Sequence, residues 1–405
     1  MDTLNHDTPH NDPIFDAAWR ALGGESPGSP GGVFDFHQDS ILRWHKPYPI
    51  IGRKKDVRKY HEPGPYGQSS SNFHPHADLV RLPKARYRGA LMGIHSRRKD
   101  SQRAFWEYQK QIDYFRTFFE NPHYQWIKRH PEWREAWDGG RIGLAPGVEG
   151  AHMLNAPDAA RCKDNIAQMA MDGVAYVTLC HTFNTKVAST NHTIWYNRLK
   201  FARPTKDHRL SQAGERTVGL LMDYGIAVDV AHVHHKSLEH ACDLAAERGV
   251  PVLCSHTGMR FEAVAAKVAR GSSAKRNLSR DMVVDIVRTG GLIGVFFTPM
   301  YLRWDRKQPG SKTSQRVADH IHALVKHIEQ ACETSGVPHV AIGTDYDGYI
   351  DLPDDQRECL DLIKVVYYLM EVYDYSEADI RAMFLTNGHD YLGRVWDTRD
   401  ISLRP

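Results

Sequence analysis

Apolar residues along the chain gather in short runs, each followed by a polar turn and then by a segment with apolar positions three or four apart. The runs are "GGVFDFH" (31–37), "GALMGIH" (89–95), "RIGLAPGVEG" (141–150) and "GVAYVTLCH" (173–181), continuing with "GIAVDVAH" (225–232), "VPVLCSH" (250–256), "GLIGVFF" (291–297) and "HVAIGTD" (339–345). Each is rich in Val, Ile, Leu or Phe on successive positions, as strands covered on both faces of a parallel sheet are. The intervening segments carry helix signals. "LSQAGERTVGLLMDYG" has Ser211 as N-cap, and "SRDMVVDIVRTGG" opens on Ser279 and closes on Gly290. "KSLEHACDLAAERG" follows His235, and "SQRVADHIHALVKHIEQACETSG" ends at Gly336. Such starts and stops mark helix boundaries. About eight strand–helix alternations predict an α/β fold, a (β/α)8 TIM barrel of roughly 250 residues plus insertions. A doubly wound open sheet would carry a glycine-rich phosphate turn after its first strand. "DFHQDSILRW" has none.

Segments outside this pattern set the expected domain organisation. Residues 1–31 end in "GGESPGSPGG", a composition that cannot build a core, and read as a flexible tail. A barrel domain is expected over 32–396, with an aromatic-, Pro- and His-rich insertion at 43–88 and a helical insertion at 101–138. In the latter, Phe105, Tyr108, Ile112, Phe115 and Phe119 form a stripe suited to core packing. Residues 397–405 read as a C-terminal tail.

Bulk properties narrow the function classes. A net charge of +3 over 405 residues gives no case for nucleic acid or an anionic membrane as partner. No run approaches the ~18 apolar residues of a membrane helix, and the first residues lack the pattern of a secretory signal. The six cysteines form no close-spaced pair, which fits a reduced, cytoplasmic protein. Histidine, at 24 copies, is the outlier.

In a barrel, all strand C-termini open onto one face. The tips read His37 and Asp39, Glu149, His181, His232, His256 and Asp345. Packing does not explain so many imidazoles and carboxylates, because each buried one needs a partner to offset its desolvation. A pair of divalent cations satisfies them together. The mixed nitrogen and oxygen set suits Zn²⁺, with Mn²⁺ or Fe²⁺ as alternatives. With Glu149 bridging, two cations about 3.5–4 Å apart would hold a hydroxide between them. Among the clustered histidines, His232 stands first at the mouth. His234 and His235 fall in the turn to the next helix, and His240 on that helix.

The stretches "DFHQDS" (35–40), "GVEGAHML" (147–154), "YVTLCHTFNT" (176–185) and "VDVAH" (228–232), with "PVLCSH" (251–256), "RNLSRDMV" (276–283), "GTDYDG" (343–348) and "NGHDYLGRVW" (387–396), together resemble the membrane (renal) dipeptidase family of zinc metallopeptidases. The resemblance spans about 31–396. It implies an amidohydrolase-like barrel in which His37, Asp39 and Glu149 bind one zinc with Asp345 beside it, while Glu149, His232 and His256 hold the other. It further implies that His181 binds substrate and steadies the tetrahedral intermediate, and that Arg276 binds the substrate's C-terminal carboxylate. Asp345 would carry the proton to the leaving amine. The family cleaves dipeptides and commonly forms homodimers. Its mammalian members are lipid-anchored, whereas this sequence shows neither a signal peptide nor a hydrophobic tail after "RDISLRP". Departures fall where substrate is expected: Leu42 where the family commonly has Trp, Thr182 after His181, and Thr298 in "VFFTP" where the family has a nearby Tyr. Three readings follow. One is a binuclear hydrolase of dipeptides or similar amides with a free carboxylate. The second is the same chemistry on a non-peptide amide, N-acyl compound or lactam. The third is a metal-binding barrel without catalysis.

Overall fold

The computed structural model describes residues 13–23, 31–41, 76–96, 98, 101–191, 203–260, 275–298, 301–302, 312–348 and 355–397. Its strands are β1 (Val33–Gln38), β2 (Tyr87–His95), β3 (Tyr124–Trp126), β4 (Ile142–Glu149) and β5 (Tyr176–Thr178), then β6 (Ala227–Asp229), β7 (Leu253–Thr257), β8 (Leu292–Val295) and β9 (Val340–Ile342). All nine pair in parallel. β2 pairs with both β1 and β4, and that closes eight strands into a ring. This is the expected TIM barrel. The ninth strand, β3, lies outside the ring and pairs with the first residues of β4.

Local signals explain the connections. Ser211 and Ser279 accept hydrogen bonds from the amides of Gly214 and Met282, starting helices Gln212–Asp223 and Arg280–Val287. Helix His235–Arg248 stops at Gly249, whose φ of 65° ends the turn where a side chain would be strained. Two apolar bodies result. One fills the space between strands and outer helices. The other plugs the barrel where its strands begin: Phe34, Phe36, Leu91, Leu253 and Leu292 meet Trp133 and the helix Asn387–Trp396. Trp133 packs edge-on to Phe34 at 4.7 Å between ring centroids.

Two expectations need correction. Residues 13–23 are not a loose tail: Pro13–Ala21 form a helix whose Ala18 and Ala21 are fully buried. Its apolar positions recur at helical spacing and pack on helices Leu362–Tyr373 and Glu377–Arg381, where Arg20 pairs with Glu377 at 3.3 Å. A glycine- and proline-rich run downstream does not prevent an amphipathic segment upstream of it from docking. Residues 101–138, expected as a helical insertion, are the β2–β4 crossover itself: helix Ser101–Arg116, strand β3 and helix Pro131–Asp138. Of the stretch 43–88, residues 76–86 lead into β2 and 87–88 begin it, with Arg81 held by Asp78 and Glu358. Residues 42–75, including Leu42, lie outside the described residues. Among the described residues, no helix is long and apolar enough to cross a membrane.

Candidate metal centre

Two strand irregularities aim histidines into the mouth of the barrel. Along β1, Phe34 and Phe36 pack in the central plug, so simple alternation would send His37 outward. The β1–β2 register slips between Asp35 and Gln38, and the β7–β8 register slips between Cys254 and Thr257. Bulges of this kind re-aim a side chain. The rings of His37 and His256 consequently stack at 3.9 Å. At two further tips the backbone is left-handed in residues with a side chain: His232 has φ 64° and Asp345 φ 61°. Each such position costs about 1–3 kcal/mol unless its surroundings fix it. Here Asn191 N donates to His232 O at 2.8 Å, and Asp345 N donates to His37 O at 2.9 Å.

Beneath the tips, two buried carboxylates organise the backbone. Asp35 accepts from Thr344 Oγ1, Thr344 N, His37 N and Tyr87 Oη. Asp229 accepts from Thr178 Oγ1, Ser255 N, Ser255 Oγ and Ala231 N. Burial lifts Asp35 to about 7 in spite of its donors.

The expected site residues meet. His37 Nε2 lies 3.6 Å from Asp39 Oδ1, 3.8 Å from Asp345 Oδ1 and 3.9 Å from Glu149 Oε1. Glu149 Oε1 is 3.3 Å from His232 Nε2 and 3.5 Å from His256 Nε2. His181 Nε2 is 3.4 Å from Glu149 Oε2. Arg276 Nη2 donates to His256 O at 2.8 Å and reaches His232 Nε2 at 3.1 Å. Thr298 Oγ1 donates to Asp345 Oδ2 at 3.5 Å. His234 instead caps helix His235–Arg248, and His235 and His240 lie on that helix.

One histidine at the mouth is missing from the sequence reading. His95, the last residue of β2, pairs in register with Glu149, and its ring meets that of His181 edge-to-face at 4.5 Å. The signal was present, since "GALMGIH" ends on it as the other runs end on theirs. Supporting groups were also unread. His37 Nδ1 lies 2.5 Å from Tyr176 Oη, and His256 Nδ1 lies 2.8 Å from Ser255 Oγ. A Cβ at Gly147 would collide with the Tyr176 ring, so glycine there lets the phenol reach His37.

The donor chemistry fits divalent cations. Ser255 gives its hydroxyl proton to Asp229, so His256 Nδ1–H donates to Ser255 Oγ and His256 Nε2 carries a lone pair. Arginine only donates, so His232 Nε2, facing Arg276, carries one as well. These two lone pairs lie 3.0 Å apart beside a carboxylate oxygen. A divalent cation among the three atoms would satisfy all of them at once, whereas the Arg276 guanidinium reaches only His232 Nε2 of the three. His37 Nε2, Asp39 Oδ1 and Glu149 Oε2 are buried with no hydrogen-bond partner among the described residues. Ligand separations of 3.0–3.9 Å also suit metal bonds of about 2.0–2.2 Å.

Electrostatics point the same way. Burial, then the charges of Arg276 and His95, push His37 down to about 3. Burial holds His181, His232 and His256 well below the ordinary imidazole value. The histidines therefore stay neutral, the form that binds metal. Burial raises Glu149, with Asp39 and Asp345 adding to it, and lifts Asp39 to about 7 with help from Asp347. Crowded carboxylates with raised values are acids short of positive charge.

Comparison with known proteins gives a concordant picture. The family model for membrane dipeptidase (peptidase family M19) matches residues 32–400. An uncharacterized dipeptidase of Schizosaccharomyces pombe is 25% identical over 266 residues, covering 65% of this chain and 55% of that protein. The dipeptidase ataJ of Aspergillus terreus is 27% identical over 222 residues, covering 53% and 48%. The chain thus spans about half the length of the curated relatives it matches. A metallopeptidase of Rhodobacter sphaeroides, solved with a phosphinate mimic of the dipeptide L-Ala-D-Ala, superposes with a TM-score of 0.68 at 18% identity. That match covers 90% of this chain and 99% of the other.

Proposed function

The chain belongs to the membrane dipeptidase family, and from that premise we propose that it is a two-cation hydrolase of dipeptides or dipeptide-like amides bearing a free carboxylate. His37, Asp39 and Glu149 would hold one cation with Asp345 beside it, and Glu149, His232 and His256 the other, with Zn²⁺ the ion the donor set best suits. Bound there, a divalent pair supplies Lewis-acid polarisation of the scissile carbonyl and an acidified water. Asp345, steadied by the Thr298 hydroxyl, accepts the water proton and returns it to the leaving amine. His181, with Nε2 3.4 Å from Glu149 Oε2, donates to the carbonyl oxygen as charge develops. Arg276, buried against Phe296 at 5.3 Å, reads the substrate carboxylate through a planar fork that lysine lacks.

The observation that carries this reading is the meeting of two imidazole lone pairs and one carboxylate oxygen within 3.0–3.5 Å. The relative solved with a mimic of L-Ala-D-Ala supports the substrate class. Zinc-loaded protein incubated with L-Xaa–L-Xaa and L-Xaa–D-Xaa dipeptides should release free amino acids, and chelation should abolish the release. Binding of two zinc ions without turnover of any dipeptide would move the substrate to a non-peptide amide.

A further inference from the structure

The two oxygens of Glu149 face different neighbours. Oε1 looks toward His37, His232 and His256, at 3.9, 3.3 and 3.5 Å. Oε2 turns to the other side, 3.4 Å from His181 Nε2 and 3.9 Å from His95 Nδ1. It is buried and accepts no hydrogen bond from any described residue. His95, Glu149 and His181 each bring one ligand atom to within 4.8 Å of the other two. They come from the tips of three neighbouring segments, since β2 pairs with β4 and β4 with β5.

We propose that His95, Glu149 Oε2 and His181 form a third divalent-cation position, weaker than the two-cation centre and inhibitory when filled. The inference rests on the preceding reading for the role of His181. Two imidazole nitrogens and one carboxylate oxygen select a borderline ion of the Zn²⁺ or Co²⁺ kind over Mg²⁺, which prefers an all-oxygen shell. Weak binding has a structural cause. His95 Nδ1 also lies 3.2 Å from the Glu149 carbonyl oxygen, to which it donates. A cation at Nδ1 displaces that proton to Nε2, so one hydrogen bond is given up on binding. Glu149 is already shared with the two-cation centre, and the charge of that centre repels a further cation. Inhibition follows from His181: a ring that ligates a cation through Nε2 has no proton there to offer the substrate carbonyl.

Equilibrium dialysis of the full-length chain against rising Zn²⁺, with elemental analysis, tests the site in wild type, His95→Phe and His95→Leu. Two variants guard against one failing to fold, and circular dichroism checks both. Wild type should take up one weak equivalent more than either variant, and Mg²⁺ should not replace it. Excess Zn²⁺ should inhibit wild-type turnover, with the half-inhibitory concentration at least tenfold higher in His95→Phe. Surface histidines also bind zinc, but they contribute equally to all three proteins and cancel in the difference. Identical uptake by wild type and both variants, or equal occupancy by Mg²⁺, overturns the proposal. Loss of the two tight equivalents from wild type would instead sink the two-cation reading, while the uptake difference still decides the third position.

Discussion

The two ends of the barrel interior are built from the same strands and obey opposite rules. At the closed end, Phe34, Leu91, Leu253 and Leu292 meet Trp133, Tyr391 and Trp396, and apolar area is buried against apolar area. At the open end, the C-terminal residues of β1, β2, β4 and β7 bring His37, His95, Glu149 and His256 together, and His37 Nε2 and Glu149 Oε2 find no hydrogen-bond partner among the described residues. The first arrangement stabilises the fold by area removed from water, about 25 cal/mol per Å². The second opposes folding, because charged and polar groups lose water without full compensation. Stability thus comes from the closed end and chemistry from the open one, and substitutions should separate the two.

The largest separation is expected at Asp345. Asp345→Asn keeps the size and polarity of the side chain but removes the base, so turnover should fall by about 10²–10⁴-fold while bound metal stays. Glu149→Gln should lose metal as well, since a neutral amide removes the shared charge between both sets of ligands. Elemental analysis alongside dipeptide kinetics distinguishes them; equal metal loss in both variants would mean that Asp345 acts as a ligand rather than as a base.

At the closed end, Trp133→Ala should destabilise by about 3–5 kcal/mol and leave metal content unchanged. Its ring is fully buried against Phe34 and stacks with Trp396 at 6.3 Å. Denaturant unfolding of the metal-loaded protein measures the first effect. A variant that unfolds normally but binds no zinc would show that the two ends are not separable.

Gly147 sits where they join. Gly147→Ala would drive a methyl group into the Tyr176 ring and force the phenol off His37. Overpacking of this kind costs about 1–3 kcal/mol. Unlike Trp133→Ala, it should also weaken metal binding, because His37 loses the partner that fixes its ring. Full retention of zinc affinity would remove Tyr176 from any supporting role.

Much of this division was legible in the chain. Apolar runs ending in His, Glu or Asp located both the strands and the mouth, because parallel strands deliver their C-terminal residues to one place. His95, ending β2 in register with Glu149, obeys the same rule. What the sequence did not display was backbone geometry. Nothing in "VFDFHQ" announces the register slip that turns His37 inward after Phe36, and nothing in "DVAH" announces a left-handed His232. Strand β3, "YQW", sits in no apolar run, unlike the equally short β5, β6 and β9. The helix at Pro13–Ala21 was hidden by the glycine- and proline-rich run after it, although its own apolar spacing was readable. Which substrate the mouth accepts depends on side chains whose contacts are made only in three dimensions, such as Thr298 with Asp345.

The smallest expected effect is the most direct measure of the opposition at the open end. In metal-free protein, Asp39 is lifted to about 7 by burial and Asp347, from an ordinary value of 3.8. The folded chain therefore holds that proton more tightly than the unfolded chain does. Its contribution to stability is complete below about 3.8 and fades as pH rises through 7. His37 runs the other way: held near 3, it favours folding above the ordinary value of 6.5 and loses that contribution as pH falls toward 3. Between pH 6.5 and 8 the unfolded imidazole is still losing its proton, so His37 opposes the carboxylate by on the order of 0.4 kcal/mol, and Asp39 is read from the difference between wild type and Asp39→Asn rather than from the slope alone. Asp39 alone should lower stability by on the order of 0.5–1 kcal/mol across that interval. Thermal or denaturant unfolding of chelator-treated wild type and Asp39→Asn at the two pH values should show wild type losing more stability, or gaining less, than the variant. Saturating Zn²⁺ should reverse the trend, because cations compete with protons for the same oxygens and bind better as pH rises. If Asp39→Asn matched wild type in slope, the carboxylate would already be stabilised by its protein neighbours, and the open end would not need a cation to offset it.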